Sequence, residues 1–254
     1  MINIRTIEYS IHFLTNIDFV EDPEIAIFKC IFKKLKNILC INSKEKCIEC
    51  SYGKKCVYNY VTAGDFMHIN LMPVIIKKPL ISKKHFKQGD RLKLKFLFLG
   101  DAALHMDFVD FILKGIEVKG LFKENHRFII ESRTIDDTSI DINNHRGIYN
   151  IEILTPIDKT EDIFLYEKEK IEDLNKLYNI TDEPIEIIEE FYDKDFIKFK
   201  VKRPIYLGSN RINLDGYIGR LSFIKPIPLT PLLLIAKQIG IGKYYGIGGG
   251  CIEF

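Results

Sequence analysis

At 254 residues the chain has room for two small domains or one large one, and 46% apolar residues with 12% aromatic supply a packed core, which excludes a mainly disordered chain. With 37 basic residues against 35 acidic ones the net charge is +2, which excludes a uniformly basic nucleic-acid binder; any surface for a polyanion has to come from uneven placement of charge. The first residues alternate and are polar at intervals, unlike a signal peptide, and the apolar run Leu232 to Ile239 is far shorter than the ~20 residues of a membrane span, so the expectation is a soluble cytoplasmic protein with no membrane partner.

Residues 2–13 alternate, with Arg5, Ile7, Tyr9, Ile11 and Phe13 sharing a face, and predict a first strand. Asp22-Pro23 predicts a capped helix start. Ile25, Phe28, Phe32, Leu35 and Leu39 follow with helical spacing, and Lys29, Lys33, Lys34 and Lys36 lie on or near the other face. Next, Cys40, Cys47, Cys50 and Cys56 place four of the six cysteines in seventeen positions. In a cytosolic chain this favours a metal over disulfides: four thiolates suit a structural zinc, with an iron–sulfur cluster as the alternative, and two disulfides or free thiols as the plainer reading. Cys30 on the helix and Cys251 near the end read as core.

Residues 66–79 hold His68 and then a strand from Pro73 to Pro79. Gly89-Asp90 turns into a strand over 91–99, with Leu92, Leu94, Phe96 and Phe98 on one side. Asp101 predicts the cap of a helix that Gly115 stops, with His105 partly buried in it. Strands are expected at 126–133 and 147–154, joined by a polar hairpin whose turn contains His145. Thr155-Pro156 marks a boundary. Beyond it come a charged amphipathic helix over 161–178, short strands at 185–188, 196–201 and 216–224, a link broken by Pro226, Pro228 and Pro231, a short helix, a glycine-rich loop and a last strand. Strand, helix, strand, strand, helix, strand is the ferredoxin-like order, repeated loosely in the second half. The expectation is an α+β chain of two tandem ferredoxin-like (βαββαβ) domains, 1–154 with a Cys-rich insertion at 40–56, and 155–254.

Gly240, Gly242, Gly246, Gly248, Gly249 and Gly250 put six of the 16 glycines in eleven residues. A Walker phosphate loop needs Ser or Thr after Gly-Lys and a helix behind it; here Gly242-Lys243 meets Tyr244, and the helix comes first. A dinucleotide fingerprint opens a long strand–helix–strand unit, and four residues after Gly250 cannot build one. What remains is a shaped loop with Lys243, Tyr244 and Tyr245 at its crest.

That loop, Gly-x-Gly-Lys and then Gly-x-Gly within a strand of the C-terminus, looks like the signature of the RAMP superfamily. Arg203 to Arg211, Gly216-Tyr-Ile-Gly219, a proline-containing link and a short helix precede it in the order of one branch, the sixth family of CRISPR-associated proteins, endoribonucleases that process precursor CRISPR RNA. The spacing between the arginines is wider than usual there, and Tyr217 stands for Phe. The resemblance implies CRISPR repeat RNA as partner, membership of a CRISPR effector complex as the non-catalytic alternative, a monomer or homodimer, and cleavage without a metal cofactor. In such cleavage the 2′-hydroxyl attacks the adjacent phosphate and leaves a 2′,3′-cyclic phosphate, which requires a base, an acid and a cation.

By position in the family pattern His68 is the catalytic candidate, with His12 and His145 as rivals, Tyr58 or Tyr60 to assist, and Lys54, Lys55 or Lys77 to hold the phosphate. The expected RNA surface is Arg203, Arg211 and Arg220 with Gly242, Lys243, Tyr244, Gly246 and Gly248: loop amides meet phosphates, while Arg and Tyr stack on unpaired bases. The carboxylate runs at Glu161-Asp162 and Glu186 to Glu190 read as solvated faces, and no Gly-x-Ser-x-Gly nucleophile elbow is present.

Overall fold

The computed structural model describes residues 2–41, 45–122, 126–137, 147–190, 192–200, 203–208 and 210–254. The first unit runs β1 (Ile4–Phe13), β2 (Ile17–Asp18), α1 (Pro23–Leu39), α2 (Val57–Val61), β3 (Val74–Lys77), β4 (His85–Phe86), β5 (Arg91–Leu99), α3 (Asp107–Lys119) and β6 (Phe128–Asp137). Its sheet has the order β3-β5-β1-β6, the antiparallel ferredoxin-like arrangement; β2 and β4 pair separately. The period-2 pattern explains the layering. Ile7, Tyr9, Ile11 and Phe13 of β1 and Leu92, Leu94, Phe96 and Phe98 of β5 enter one core with Ile25, Phe28 and Phe32 of α1.

The second unit repeats that order: β7 (Ile148–Ile157), α4 (Ile163–Tyr178), β8 (Tyr192–Phe199), the hairpin β9 (Ile205–Leu207) and β10 (Asn210–Ile212), β11 (Gly216–Ile227), α5 (Pro231–Ile239) and β12 (Ile252–Glu253). Its sheet order is β12-β7-β11-β8. The tandem ferredoxin-like fold expected from the sequence is therefore present, with corrections. The strand expected to close the first half, 147–154, pairs with β11 and β12 and opens the second unit, so that unit begins before Thr155-Pro156. Residues 185–188 form no strand. The helix expected to stop at Gly115 runs through it and ends at Gly120, whose φ of 83° breaks the helical path; a glycine inside a helix costs only about 1 kcal/mol, less than the packing of Val109, Ile112, Leu113 and Ile116 returns. Asp22 stands at the N-cap of α1 but makes no side-chain cap bond, because its carboxylate turns to Lys78 (2.9 Å) and Lys84 (3.3 Å). His145 and the hairpin turn around it lie outside the described residues. Among the described residues no helix is long and apolar enough to cross a membrane.

The two halves exchange apolar side chains. Ile205, Leu207, Ile212 and Leu214 of the β9–β10 hairpin, together with Ile247, belong to the core of the first unit. Ile2, Ile4, Ile75, Leu97 and Leu99 belong to that of the second. Each such side chain is worth about 2 kcal/mol when buried, so the hairpin is anchored to the opposite half rather than to its own sheet.

Gly216-Tyr-Ile-Gly219 is a structural device. At Gly219, φ is 150° and a Cβ would stand 2.0 Å from the Asp195 carbonyl oxygen, where β11 bulges against β7. Gly219→Ala is expected to destabilise the chain by about 2 kcal/mol or more, read as a lower midpoint in urea, whereas Gly115→Ala, with open space around it, should leave or raise it.

Candidate nucleic-acid interface

A groove of about 680 Å³ opens between the halves. Lys78 and Lys84 line it from the first unit, Lys200 and Arg203 from the second, and the facing carboxylates are Glu21 and Asp22. Asp22 is held by the two first-unit lysines, and Glu21 pairs with Lys29 at 2.7 Å. Lys200 and Arg203 are exposed, and the Arg203 guanidinium donates to the Val20 carbonyl at 3.2 Å across the groove. The wall is therefore positive on balance although the whole chain is nearly neutral, which is the uneven placement a polyanion site needs.

The hairpin continues this wall. Pairing in β9 and β10 sets Tyr206 opposite Arg211, both exposed, while Ile205, Leu207 and Ile212 point into the core beneath. A phenol ring beside a guanidinium on a fixed hairpin is a surface on which an unpaired base can stack. Tyr206 was not among the expected site residues; its position next to the Gly208 turn and across from Arg211 was the available signal.

The hairpin tip rests on the loop that carries His68. Asn210 Nδ2 donates to the Phe66 carbonyl at 2.9 Å, and a Cβ on Gly208 would stand 3.0 Å from the Asp65 carbonyl oxygen. On the other side of His68, Tyr178 Oη donates to the Leu71 carbonyl at 3.1 Å. His68 is exposed between these two contacts, both made by the second unit. The loop backbone is strained: Ala63, Gly64, Asp65 and Phe66 all have positive φ, between 47° and 79°. Three of these are not glycine, and the left-handed conformation costs roughly 1–2 kcal/mol for each. Asp65 holds the loop, accepting from Lys36 Nζ at 2.6 Å and from the Tyr58 hydroxyl, while its own amide donates to Thr62 Oγ1 at 3.0 Å.

This arrangement corrects one expectation. Tyr58 is buried and tied to Asp65; burial first, then that carboxylate, push its phenol far above the ordinary range, so it is a brace rather than an acid or base. Lys55 lines a pocket with the four cysteines and with Tyr58. The rival His12 lies on β1 beside Glu131, 3.1 Å away. His105 is half-buried and meets the Tyr60 ring edge-on. Lys77 sits on the edge strand β3 opposite Lys95, and burial lowers its ammonium to about 8.

The glycine loop departs furthest from its expected role. The Gly242 amide donates to Glu167 Oε1 at 2.5 Å, the Lys243 amide to Asp158 Oδ1 at 2.9 Å and the Gly250 amide to the Pro156 carbonyl at 3.1 Å. Lys170 Nζ donates to the carbonyls of Gly240 (3.1 Å) and Gly242 (3.3 Å) and lies 2.5 Å from Glu167 Oε2. Glu167 and Lys170 are fully buried, and burial pushes the carboxyl up and the ammonium down. Gly246 packs on Met72 and Gly248 on Lys78 of the first unit, and Tyr245 Oη reaches the Met72 carbonyl at 2.8 Å. These amides are occupied within the protein, so the loop is a wedge seating one half on the other and not an open phosphate cradle. Lys243 and Tyr244 stay half-exposed at its crest, with the ammonium 5.1 Å from the ring centre. Arg220 is ion-paired with Glu152 on the second sheet.

A protein-family model described as the AF_1859 N-terminal domain matches residues 6–155. The chain belongs to that family. No curated protein matches the sequence. Among solved structures, a Cas6 product complex superposes with a TM-score of 0.54 at 12% identity, covering 99% of both chains. A protein described as a RAMP protein binding different RNA substrates superposes at 0.50 and 14% identity over 98% of each chain. A partial Cas6–RT–Cas1–Cas2 complex gives 0.54 at 11% identity, covering all of this chain and 46% of the longer one. At such identities the likeness is one of fold: this family member has the tandem ferredoxin-like fold of Cas6 chains.

Proposed function

We propose that this protein binds CRISPR repeat RNA along the groove between its halves and cuts it with its own side chains, giving guide RNAs with 2′,3′-cyclic phosphate ends. The observation that carries this reading is the position of His68: exposed on a strained loop, held between two contacts from the second unit, and adjoining the hairpin that displays Tyr206 and Arg211. The groove cations Lys84, Lys200 and Arg203 track the backbone, and Tyr206 with Arg211 stacks an unpaired base near the scissile bond. His68 takes the 2′-hydroxyl proton as that oxygen attacks the phosphorus. The leaving 5′-oxygen departs with a proton from a second donor, and the groove cations offset the charge that builds on the phosphoryl oxygens.

Tyr58, bound to Asp65, is lost as that second donor, which favours a second reading in which the same surface holds RNA without cutting it, as a subunit of a CRISPR effector complex. Electrostatic binding has a test independent of cleavage. Alanine at Arg203 or Lys200 is expected to weaken binding of repeat RNA and to flatten the dependence of log K on log salt by about one unit each; Arg220→Ala should leave the slope unchanged. Unchanged slopes in all three variants place the RNA elsewhere.

A further inference from the structure

The proposed RNA surface makes no use of the segment between α1 and α2, whose described residues form no apolar core of their own. Ile41, Ile48 and Tyr52 are 84%, 61% and 61% exposed, and among its described residues the only regular element is one 3-10 turn, Gly53–Lys55. Cys40, Cys47, Cys50 and Cys56 nevertheless line one pocket of about 260 Å³, floored by Leu39 and Val57. All four are free thiols. Cys47 and Cys50 lie on a tight turn: the Gly53 amide donates to the Cys50 carbonyl at 2.8 Å, and a Cβ on Gly53 would stand 2.9 Å from the Cys47 carbonyl oxygen. A Cys-x-x-Cys pair on a glycine-closed turn, with two further cysteines returning to the same pocket, is an arrangement that supplies four soft ligands from one short stretch.

We propose that Cys40, Cys47, Cys50 and Cys56 bind a single zinc ion that takes the place of the missing core. Binding replaces four S–H bonds by four Zn–S bonds and releases four protons, with no redox change. Zinc with four thiolates carries two negative charges, and cations stand ready: Lys55 lines the pocket and Lys36 lies within electrostatic reach of Cys40 and Cys47. Lys36 also holds Asp65, so the ion would brace the base of the loop that presents His68. Among the described residues no three His, Cys, Asp or Glu groups yet stand close enough to hold an ion, so binding draws the sulfurs inward to about 2.3 Å from the metal and compacts the loop.

The test uses the full chain, purified without chelator under reducing conditions, with metal content measured by mass spectrometry. The expected result is about one zinc per chain, kept in Cys30→Ser and absent in Cys50→Ser. Stripped protein titrated with Co²⁺ should develop the intense visible bands of a tetrahedral cobalt thiolate, saturating at one equivalent, and Cys47→Ser should not. A wild-type chain with no zinc and no cobalt bands, zinc retained in Cys50→Ser, or iron with acid-labile sulfide in its place would each overturn the proposal. None of these readouts depends on RNA cleavage.

Discussion

Replacing Lys170 by methionine is expected to be among the most damaging single changes in this chain. Its ammonium is fully buried, with its hydrogen bonds directed to the carbonyls of Gly240 and Gly242 and its charge matched by Glu167. Methionine fits the volume but leaves the Glu167 carboxyl without its counter-ion and two loop carbonyls without a donor. Breaking one member of such a pair costs about 3–5 kcal/mol, which for a chain of this size lowers the melting temperature by on the order of 10 °C. The double change Glu167→Gln with Lys170→Met should recover part of that loss, because neither charge is then stranded. A lone Lys170→Met that melts within a degree of the wild type would mean that the glycine loop is not held from beneath in this way.

The largest catalytic effect is expected at His68. His68→Ala should lower the single-turnover cleavage rate of repeat RNA by about 10²–10⁴-fold with binding changed little, since a general base contributes to the transition state and not to the grip on the substrate. His105→Ala, a residue packed against Tyr60, serves as the comparison and should lose little rate. A rate unaffected by His68→Ala but abolished by Lys77→Ala would move the chemistry to the edge of β3, where the Lys77 ammonium, lowered to about 8 by burial, titrates near neutral pH.

Periodic segments were legible. The alternation in β1 and β5 and the 3.6-residue spacing in α1 are local patterns, and a buried face follows directly from each. Partners were less so. The strand at 147–154 was found, but which sheet it joins depends on pairing with β11, some seventy residues later, and no local pattern encodes that. Gly115 was read as the helix stop, but Ile116 and Val118 continue the helix beyond it; the true stop, Gly120, takes positive φ.

At the site, the density of glycines marked a shaped loop, yet not what it faces. Glu167 and Lys170 fall within the charged amphipathic helix expected over 161–178, and only the fold shows that they are turned inward under the loop. His68 and Arg211 were each singled out, but the contact between the β9–β10 hairpin and the loop that carries His68 comes from Ile205, Leu207, Ile212 and Leu214 crossing into the opposite core.

The central claim is that this fold carries an RNA-cutting centre built from side chains alone. It is tested most directly by incubating the wild-type protein with end-labelled repeat RNA in excess EDTA and analysing the new ends. A single cut whose upstream fragment ends in a 2′,3′-cyclic phosphate, lost in His68→Ala, is the predicted result. Tight binding with intact RNA, or cleavage that appears only when divalent metal is restored, would contradict it.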